Sequence, residues 1–242
     1  MPSAFSWPMS VPSALRAPAP VNQSVRLSFN TMYCPAHFQE NSPAALAELI
    51  EAHPLGTVVR NTSDGLVADH IPLLFQSVAG SKGKLIGHVA VNNPLWQTEP
   101  DQELLVVFQG PSTYISPNWY ATKAEAGKVV PTWNYAVVHA YCSLKAIREP
   151  SKVLAIISEL TDHHESKQAH PWRVGDAPSD FTERLLHSIV GIELTINRIQ
   201  GKWKVSQNQP KANQQSVMAG LQSQGSDSQN QMASLVKAYG DS

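Results

Sequence analysis

Apolar and polar residues alternate along much of this chain in patterns that predict β-strands. Residues 57–61, 66–75, 84–91 and 103–109 are short β-branched or apolar runs, each bounded by Gly, Asn, Asp or Pro. The short links between these four runs predict an antiparallel meander. A longer apolar and aromatic run over residues 129–147 predicts one long bent strand or two strands that meet at a corner.

A further strand and three helices follow from the remaining periodicity. The apolar positions of residues 192–196 alternate with polar ones, as in a half-buried strand. Ser42 followed by Pro43 is typical of a helix start. Ser151 is expected to cap a second helix, and Asp180 with Glu183 predicts a capping box at the start of a third.

The two ends of the chain differ in composition from the part between them. Residues 1–31 contain five prolines and no acidic residue, which predicts a disordered leader; a start at Met32 is favoured over a transit peptide. Residues 32–206 are expected to form the folded domain. Residues 207–242 contain eight Gln and predict a loosely ordered polar tail, with a docked terminal helix as the alternative.

Composition restricts the possible partners and location. The net charge of -1 and the pI of 6.7 lack the basic surplus that binds nucleic-acid phosphates, and no pair of short helices joined by a Gly-containing turn is evident. Only two cysteines, Cys34 and Cys142, are present, which favours a reducing compartment such as the cytoplasm. No apolar run reaches the length of a membrane span.

Motifs for covalent or metal chemistry are missing from the sequence. Neither cysteine has a base placed beside it by a recognisable motif, so we assign no catalytic residue. His163, His164 and Glu165 lack the spacing of a metal site, because adjacent helical side chains point about 100° apart. We therefore expect no metal.

A series of short strings carries a resemblance to a known family. The strings are Met-Tyr-Cys-Pro-Ala-His-Phe at 32–38, Ala-Asp-His-Ile-Pro-Leu-Leu at 68–74, Gly-His-Val-Ala at 87–90, Phe-Gln-Gly-Pro at 108–111, Tyr-Ile-Ser-Pro-Asn-Trp-Tyr at 114–120, Val-Pro-Thr-Trp-Asn-Tyr at 130–135, Ile-Val-Gly-Ile-Glu at 189–193 and Gly-Lys-Trp-Lys-Val-Ser-Gln-Asn at 201–208. In this order they resemble the PaiB-type FMN-binding negative transcriptional regulators from Met32 to about Leu221.

The resemblance implies a fold and a cofactor. The fold is mainly β: an antiparallel split β-barrel of the pyridoxamine-phosphate-oxidase type with peripheral helices. Two subunits would form a homodimer with FMN in clefts at their interface. The family name implies repression of transcription, and hence DNA, although the charge of this chain does not support a DNA partner.

A flavin site needs phosphate donors, a flat apolar slot and directional polar groups, and the chain offers candidates for each. Each candidate has a structural alternative: a solvated lysine, a hydrogen-bonded structural histidine, or a tryptophan in the core or interface. The candidates are His70, His88, Asn92, Asn93, Ser116, Lys123, Trp133, Asn134 and Lys202.

The chain departs from the family pattern at one position that affects phosphate binding. The family places an Arg directly after Gly-His-Val-Ala, where this chain has Val91. An Arg–phosphate fork is a strong charge-assisted contact, so its loss predicts weaker FMN binding. Two alternatives remain open: a flavin-dependent oxidoreductase or reductase that uses the same cleft, and a haem-binding split barrel.

Overall fold

The computed structural model describes residues 32–240, so the expected leader lies outside the described residues. Within this range the chain forms eight strands and six α-helices. The strands are β1 Gln39–Glu40, β2 Leu55–Thr62, β3 Gly65–Pro72, β4 Leu74–Gln76, β5 Lys84–Ala90, β6 Leu104–Ile115, β7 Thr132–Ile147 and β8 Ile189–Lys204. The helices are α1 Pro43–Ala52, α2 Lys123–Ala126, α3 Pro150–Glu165, α4 Ser179–Leu186, α5 Lys211–Gln224 and α6 Asp227–Gly240.

All strand pairs of the sheet are antiparallel, and the strand order is β3-β2-β6-β7-β8-β5-β4, with β1 added to β8. The predicted antiparallel fold is confirmed, but the simple meander is wrong. Among the four predicted runs, β2 pairs with β3 and β4 pairs with β5, but β5 pairs with β8 instead of β6, and β6 pairs with β2. Strand patterns reveal individual strands, but long-range pairing decides their order.

The two longest strands form the centre of the sheet. β7 is one continuous strand of sixteen residues, as the aromatic run allowed. β8 has the same length and pairs with β7 along almost all of it, with an irregularity between Tyr141 and Cys142. β6 is longer than expected because its ladder continues past an irregularity between Gln109 and Ser112. There Gly110 lies so close to Leu49 of α1 that an added Cβ would come within 2.8 Å of Leu49 Cδ1.

The core lies between the inward face of the sheet and helices α1, α5 and α6. Phe108, Leu104 and Ile192 are fully buried, as strand alternation requires. Residues 34–242 form one compact unit, so the C-terminal helices belong with the sheet. A smaller cluster under α3 contains Ile156 and Leu160.

The predicted start of α1 is confirmed, and the other two starts are corrected. Ser42 caps α1 by accepting from the Ala45 backbone N–H at 3.4 Å. α3 begins at Pro150, and Ser151 instead donates to the Glu149 carboxylate at 2.8 Å, because proline suits the first helical position. α4 has no side-chain cap; Asp180 pairs with Arg184 one turn later at 2.7 Å.

The C-terminal segment is more ordered than its composition indicates. α5 and α6 fill residues 211–240, and Val217, Leu221, Met232 and Val236 are fully buried. Val217 and Leu221 lie one turn apart in α5, and Met232 and Val236 lie one turn apart in α6. Most residues around them are polar, many of them Gln and Ser, so the apolar pattern is hard to recognise in the sequence. The segment is therefore helical, which is closer to the docked helix left open as the alternative than to a loosely ordered tail.

The same segment contains a helix pair that the sequence analysis missed. Gly225, at φ 74°, ends α5 in the left-handed conformation, and α6 begins two residues later. The pair is joined by a Gly-containing turn, contrary to expectation. Lys211 and Lys237 are the only cations of the two helices, so the pair lacks the charge of a phosphate-binding surface. No helix within residues 32–240 has the length and hydropathy to cross a membrane.

Candidate functional site

Four of the predicted site residues lie where the end of β3 meets the end of β5. Gly87 of β5 lies against Pro72 and Leu73, so an added Cβ would come within 3.0 Å of Pro72 O. The side chain of Asn93, just after β5, donates from Nδ2 to Asp69 Oδ1 of β3 at 2.9 Å. We call this region, with Asp69, His70, His88, Asn92 and Asn93, the β3–β5 edge.

Both histidines of the β3–β5 edge point away from the barrel core. His70 pairs with Thr57 of β2 and is exposed. His88 pairs with Gly191 of β8 and keeps an exposed edge, while partial burial of its ring lowers its pKa. A neutral imidazole at His88 can donate one hydrogen bond and accept another, which suits a flat heterocycle.

The turn after β5 begins at Val91, where the resemblance implies an Arg. Val91 is half-buried against the core, and its backbone N–H donates to Ser188 O at 2.9 Å. Its carbonyl accepts from the Trp96 indole N–H at 2.9 Å. The Arg148 guanidinium lies over the Trp96 ring, 5.4 Å from its centroid. The guanidinium of Arg148, the residue directly after β7, therefore lies near this turn, whereas position 91 itself carries no charge.

Two polar groups beside the β3–β5 edge have buried atoms without a hydrogen-bond partner among the described residues. Asp69 Oδ2 and Arg60 Nε are both buried and unsatisfied. Asp69 pairs with Val58, which lies two residues before Arg60 on β2. Residues two apart on a strand share a face, so the side chains of Asp69 and Arg60 lie on the same face of the sheet. Buried polar atoms are nearly always satisfied, so these two mark a place for an additional polar partner. Sequence reasoning missed both residues, although Asp69 lies within the Ala-Asp-His string.

Three other predicted residues lie together at the far end of the sheet. Trp133 of β7 is 57% exposed, and its ring meets Tyr114 of β6 edge to face, with centroids 6.3 Å apart. Ser116 accepts from the Asn118 backbone N–H at 3.2 Å, and Lys123 Nζ donates to Asn118 Oδ1 at 2.5 Å. We call Ser116, Lys123 and Trp133 the Trp133 group.

The last two predicted residues are buried. Asn134 is 1% exposed and donates from Nδ2 to Ser206 Oγ at 2.9 Å, so it is committed to an internal bond. Lys202 is 8% exposed, and its ammonium lies 5.3 Å from the centroid of the Tyr135 ring. Neither side chain offers a free face to a planar ligand within this chain.

A half-exposed face of the sheet connects the two regions. Strand register places residues of β2, β6, β7 and β8 side by side on the face opposite the core, and several of them are apolar or aromatic. We call this the outer sheet face; its members include Val59, Leu105, Val107, His139 and Tyr141. His139 Nδ1 is buried without a hydrogen-bond partner among residues 32–240, and burial together with the Lys202 charge lowers the pKa of this histidine.

The two regions are far apart in one chain. His88 pairs with Gly191, near the start of β8, whereas Trp133 lies beside Lys204, near the end of β8, and its carbonyl accepts from Lys204 Nζ at 2.6 Å. The twelve residue steps of strand from Gly191 to Trp203 span at most roughly 40 Å, well beyond the length of one flavin, so we expect no single flavin to contact both regions of the same subunit.

The fold defines the class of protein. The chain has the flavin-type split β-barrel fold: an open antiparallel sheet with peripheral helices. Two solved structures share it. The FAD and heme binding protein from Mycobacterium smegmatis is 16% identical, covers 69% of this chain and 73% of its own, and has a TM-score of 0.52. The flavocytochrome Anf3 from Azotobacter vinelandii is 11% identical, covers 69% of each chain, and has a TM-score of 0.51.

Sequence similarity then defines the family. Residues 32–198 match the family described as "Putative FMN-binding domain", and the chain belongs to this family. The protease synthase and sporulation protein PAI 2 of Bacillus subtilis is 30% identical, with 85% of this chain and 97% of the relative covered. An uncharacterized protein of Emericella nidulans is 33% identical, with 87% and 98% covered. The PaiB-type resemblance inferred from the short strings is thereby confirmed.

Proposed function

We propose that this chain is a homodimeric, cytoplasmic FMN-binding protein that acts in negative control of transcription. The observation that carries the proposal is the match of residues 32–198 to an FMN-binding family. The regulatory part is supported by the likeness to the PaiB-type regulators, of which the Bacillus subtilis protein is a relative.

The position of the candidate residues supports a site between two subunits. The β3–β5 edge and the Trp133 group are too far apart to meet within one chain. A two-fold dimer through the outer sheet face can bring the β3–β5 edge of one subunit to the Trp133 group of its partner. Val59, Leu105 and Val107 give this face the half-exposed apolar surface that a subunit interface covers.

The residues of the two regions fit the chemistry of FMN. At the β3–β5 edge, Asn92 and the two exposed histidines can hydrogen-bond to phosphate or ring atoms. Trp133 offers an exposed indole plane for stacking. When bound, FMN supplies a ring that can be reduced and reoxidised.

The regulatory role does not require the chain to hold DNA by its phosphates. The helix pair α5–α6 carries two lysines and one aspartate, and the whole chain has a net charge of -1. A protein that neutralises several phosphates loses affinity steeply as salt rises. We therefore expect no specific, salt-sensitive DNA binding by the purified dimer, and we expect regulation to proceed through a flavin-dependent partner.

Titration with FMN, followed by flavin fluorescence, tests the proposal together with light scattering for oligomeric state. Wild type should be a dimer that binds about one FMN per subunit. Leu105→Glu should give a folded monomer that no longer binds FMN, because it places a charge on the outer sheet face. Val78→Glu, at an exposed position of the β4–β5 connection, is the matched control and should leave both properties unchanged.

Two results would contradict the proposal: a wild type that never quenches FMN fluorescence, or a monomeric Leu105→Glu variant that binds FMN as well as wild type. The same preparation separates the alternatives. Bleaching of the bound flavin by NADH or NADPH favours a reductase. A Soret band on addition of haem, lost when His70 or His88 is replaced, favours a haem-binding barrel.

A further inference from the structure

A cavity of about 570 Å³, broadly open to solvent, lies between α1, α6 and the irregular part of β6. None of the nine residues predicted for the flavin site lines it. Its floor is apolar: Leu49 and Trp203 are buried there, and Ala136 is fully buried beside them. A cavity of this volume holds a drug-sized molecule, and an apolar floor favours a ligand with an apolar body.

Helix α6 forms one wall of this cavity and is attached at both ends. Near its start, the Ser228 hydroxyl donates to Ser112 O of β6 at 3.1 Å. Near its end, the Tyr239 hydroxyl donates to the Glu40 carboxylate, which also accepts from the Ser42 backbone N–H at 2.7 Å. The wall is therefore fixed in place, and the cavity is part of the folded architecture.

The polar end of the cavity is acidic. Glu48 of α1 lines it, and Tyr239, which also lines it, contacts Glu40. Burial raises the pKa of the Tyr239 hydroxyl, and the hydrogen bond to Glu40 and the charges of Glu40 and Glu48 raise it further. The basic side chain among the described lining residues is His53, whose pKa is lowered by burial, and no Lys or Arg lines the cavity within residues 32–240.

We propose that this cavity binds a small organic cation, an amine carried on a flat apolar body. The apolar body would lie on Trp203 and Leu49, and the ammonium would face Glu48 and the Tyr239–Glu40 pair. This chemistry follows from an apolar floor with a carboxylate-bearing rim. This site is separate from the proposed flavin site, so the protein has a second binding site for a small molecule.

Calorimetry with tryptamine as the probe tests this proposal, with its neutral analogue tryptophol for comparison. Tryptamine should bind to the full-length protein, and tryptophol should bind about fivefold more weakly because it lacks the charge. Glu48→Gln should lower the affinity for tryptamine towards that for tryptophol, because Glu48 is the carboxylate that lines the cavity. Glu51→Gln, one turn further along α1 and outside this cavity, is the matched control and should bind as wild type does.

A second variant tests the location independently. Ala238→Leu, on the α6 wall, should block tryptamine while leaving FMN titration unchanged, because leucine suits a helix and fills the cavity. Absence of tryptamine binding to wild type, equal binding of tryptophol, or full binding by Ala238→Leu would each overturn the proposal. Loss of FMN binding in Ala238→Leu would also overturn it, since the cavity would then belong to the flavin.

Discussion

The side chain of Asn93 joins two strands that are not hydrogen-bonded neighbours in the sheet: its Nδ2 donates to Asp69 Oδ1 of β3 at 2.9 Å, directly after β5. The same side chain caps the short helix Pro94–Gln97, because its Oδ1 accepts from the Leu95 backbone N–H at 2.8 Å. The amide of Asn93 therefore both caps the short helix and links β3 to the residues that follow β5.

Replacing this amide should destabilise the fold. Asn93→Ala removes the cap and leaves Asp69 with neither oxygen bonded, so the free energy of unfolding in urea should fall by about 1–2 kcal/mol. Asn93→Ser keeps a capping oxygen and should recover part of the loss. Asn92→Ala, at the neighbouring exposed position, should lie within about 0.5 kcal/mol of wild type. If all three variants had the same free energy of unfolding, the Asn93–Asp69 hydrogen bond would contribute nothing to stability.

Restoring the family's cation should strengthen FMN binding. Val91→Arg places a guanidinium at the turn after β5, where an Arg–phosphate contact would raise FMN affinity by about tenfold. Riboflavin has the same ring without the phosphate, and its affinity should stay unchanged. Val91→Met is the control for side-chain length without charge. An equal gain for riboflavin would mean that position 91 does not face the phosphate.

Acid should weaken the fold through His139. Burial and the Lys202 charge lower the pKa of this histidine in the folded state, so the unfolded chain binds its proton more readily. The stability contribution is therefore complete above the ordinary pKa of about 6.5 and is lost as pH falls below it. His139→Gln should flatten the decrease in unfolding midpoint between about pH 7.5 and pH 5. His164→Gln, on the exposed end of α3, should follow the wild-type curve.

The two cysteines should differ in reactivity. Cys142 is fully buried, and burial followed by the Glu103 charge raises the pKa of its thiol to about 12. Cys34 is half-exposed, and burial raises its pKa as well, against the opposing effect of Lys202. Iodoacetamide should therefore modify Cys34 alone in the native protein, faster as pH rises from about 7 to about 9. Mass spectrometry of Cys34→Ser should show no label until urea exposes Cys142.

Sequence reasoning was accurate where the signal is local. The start of α1 needs only Ser42 and Pro43. The long apolar and aromatic run predicts one bent strand or two, and the structure forms one, β7. Strand order was wrong because pairing such as that of β5 with β8 depends on residues about a hundred positions apart. The C-terminal composition favoured a loosely ordered tail over the docked helix named as the alternative, because core residues such as Leu221 and Met232 are few among polar neighbours.

The candidate site was predictable by type but not by placement. His70 and His88 were proposed from their strings and Asn93 as a substitute for the missing Arg, and the structure places all three at one edge. Asn134 was chosen as a ligand-reading amide, yet strand alternation turns it inward to Ser206. The unsatisfied atoms of Arg60 and Asp69 could not be found from sequence, because burial without a partner is a property of the packed chain alone.

The position of β8 in the chain also has a consequence for biosynthesis. This strand supplies the partners of β1, β5 and β7, yet it comes after residue 188. A ribosome must therefore release some 150 residues of earlier strands and helices before the middle of the sheet can assemble. Until then the edge of β7 that pairs with β8 is unpaired, and such an edge favours aggregation, so we expect the nascent chain to be most prone to aggregation before residue 204 has emerged.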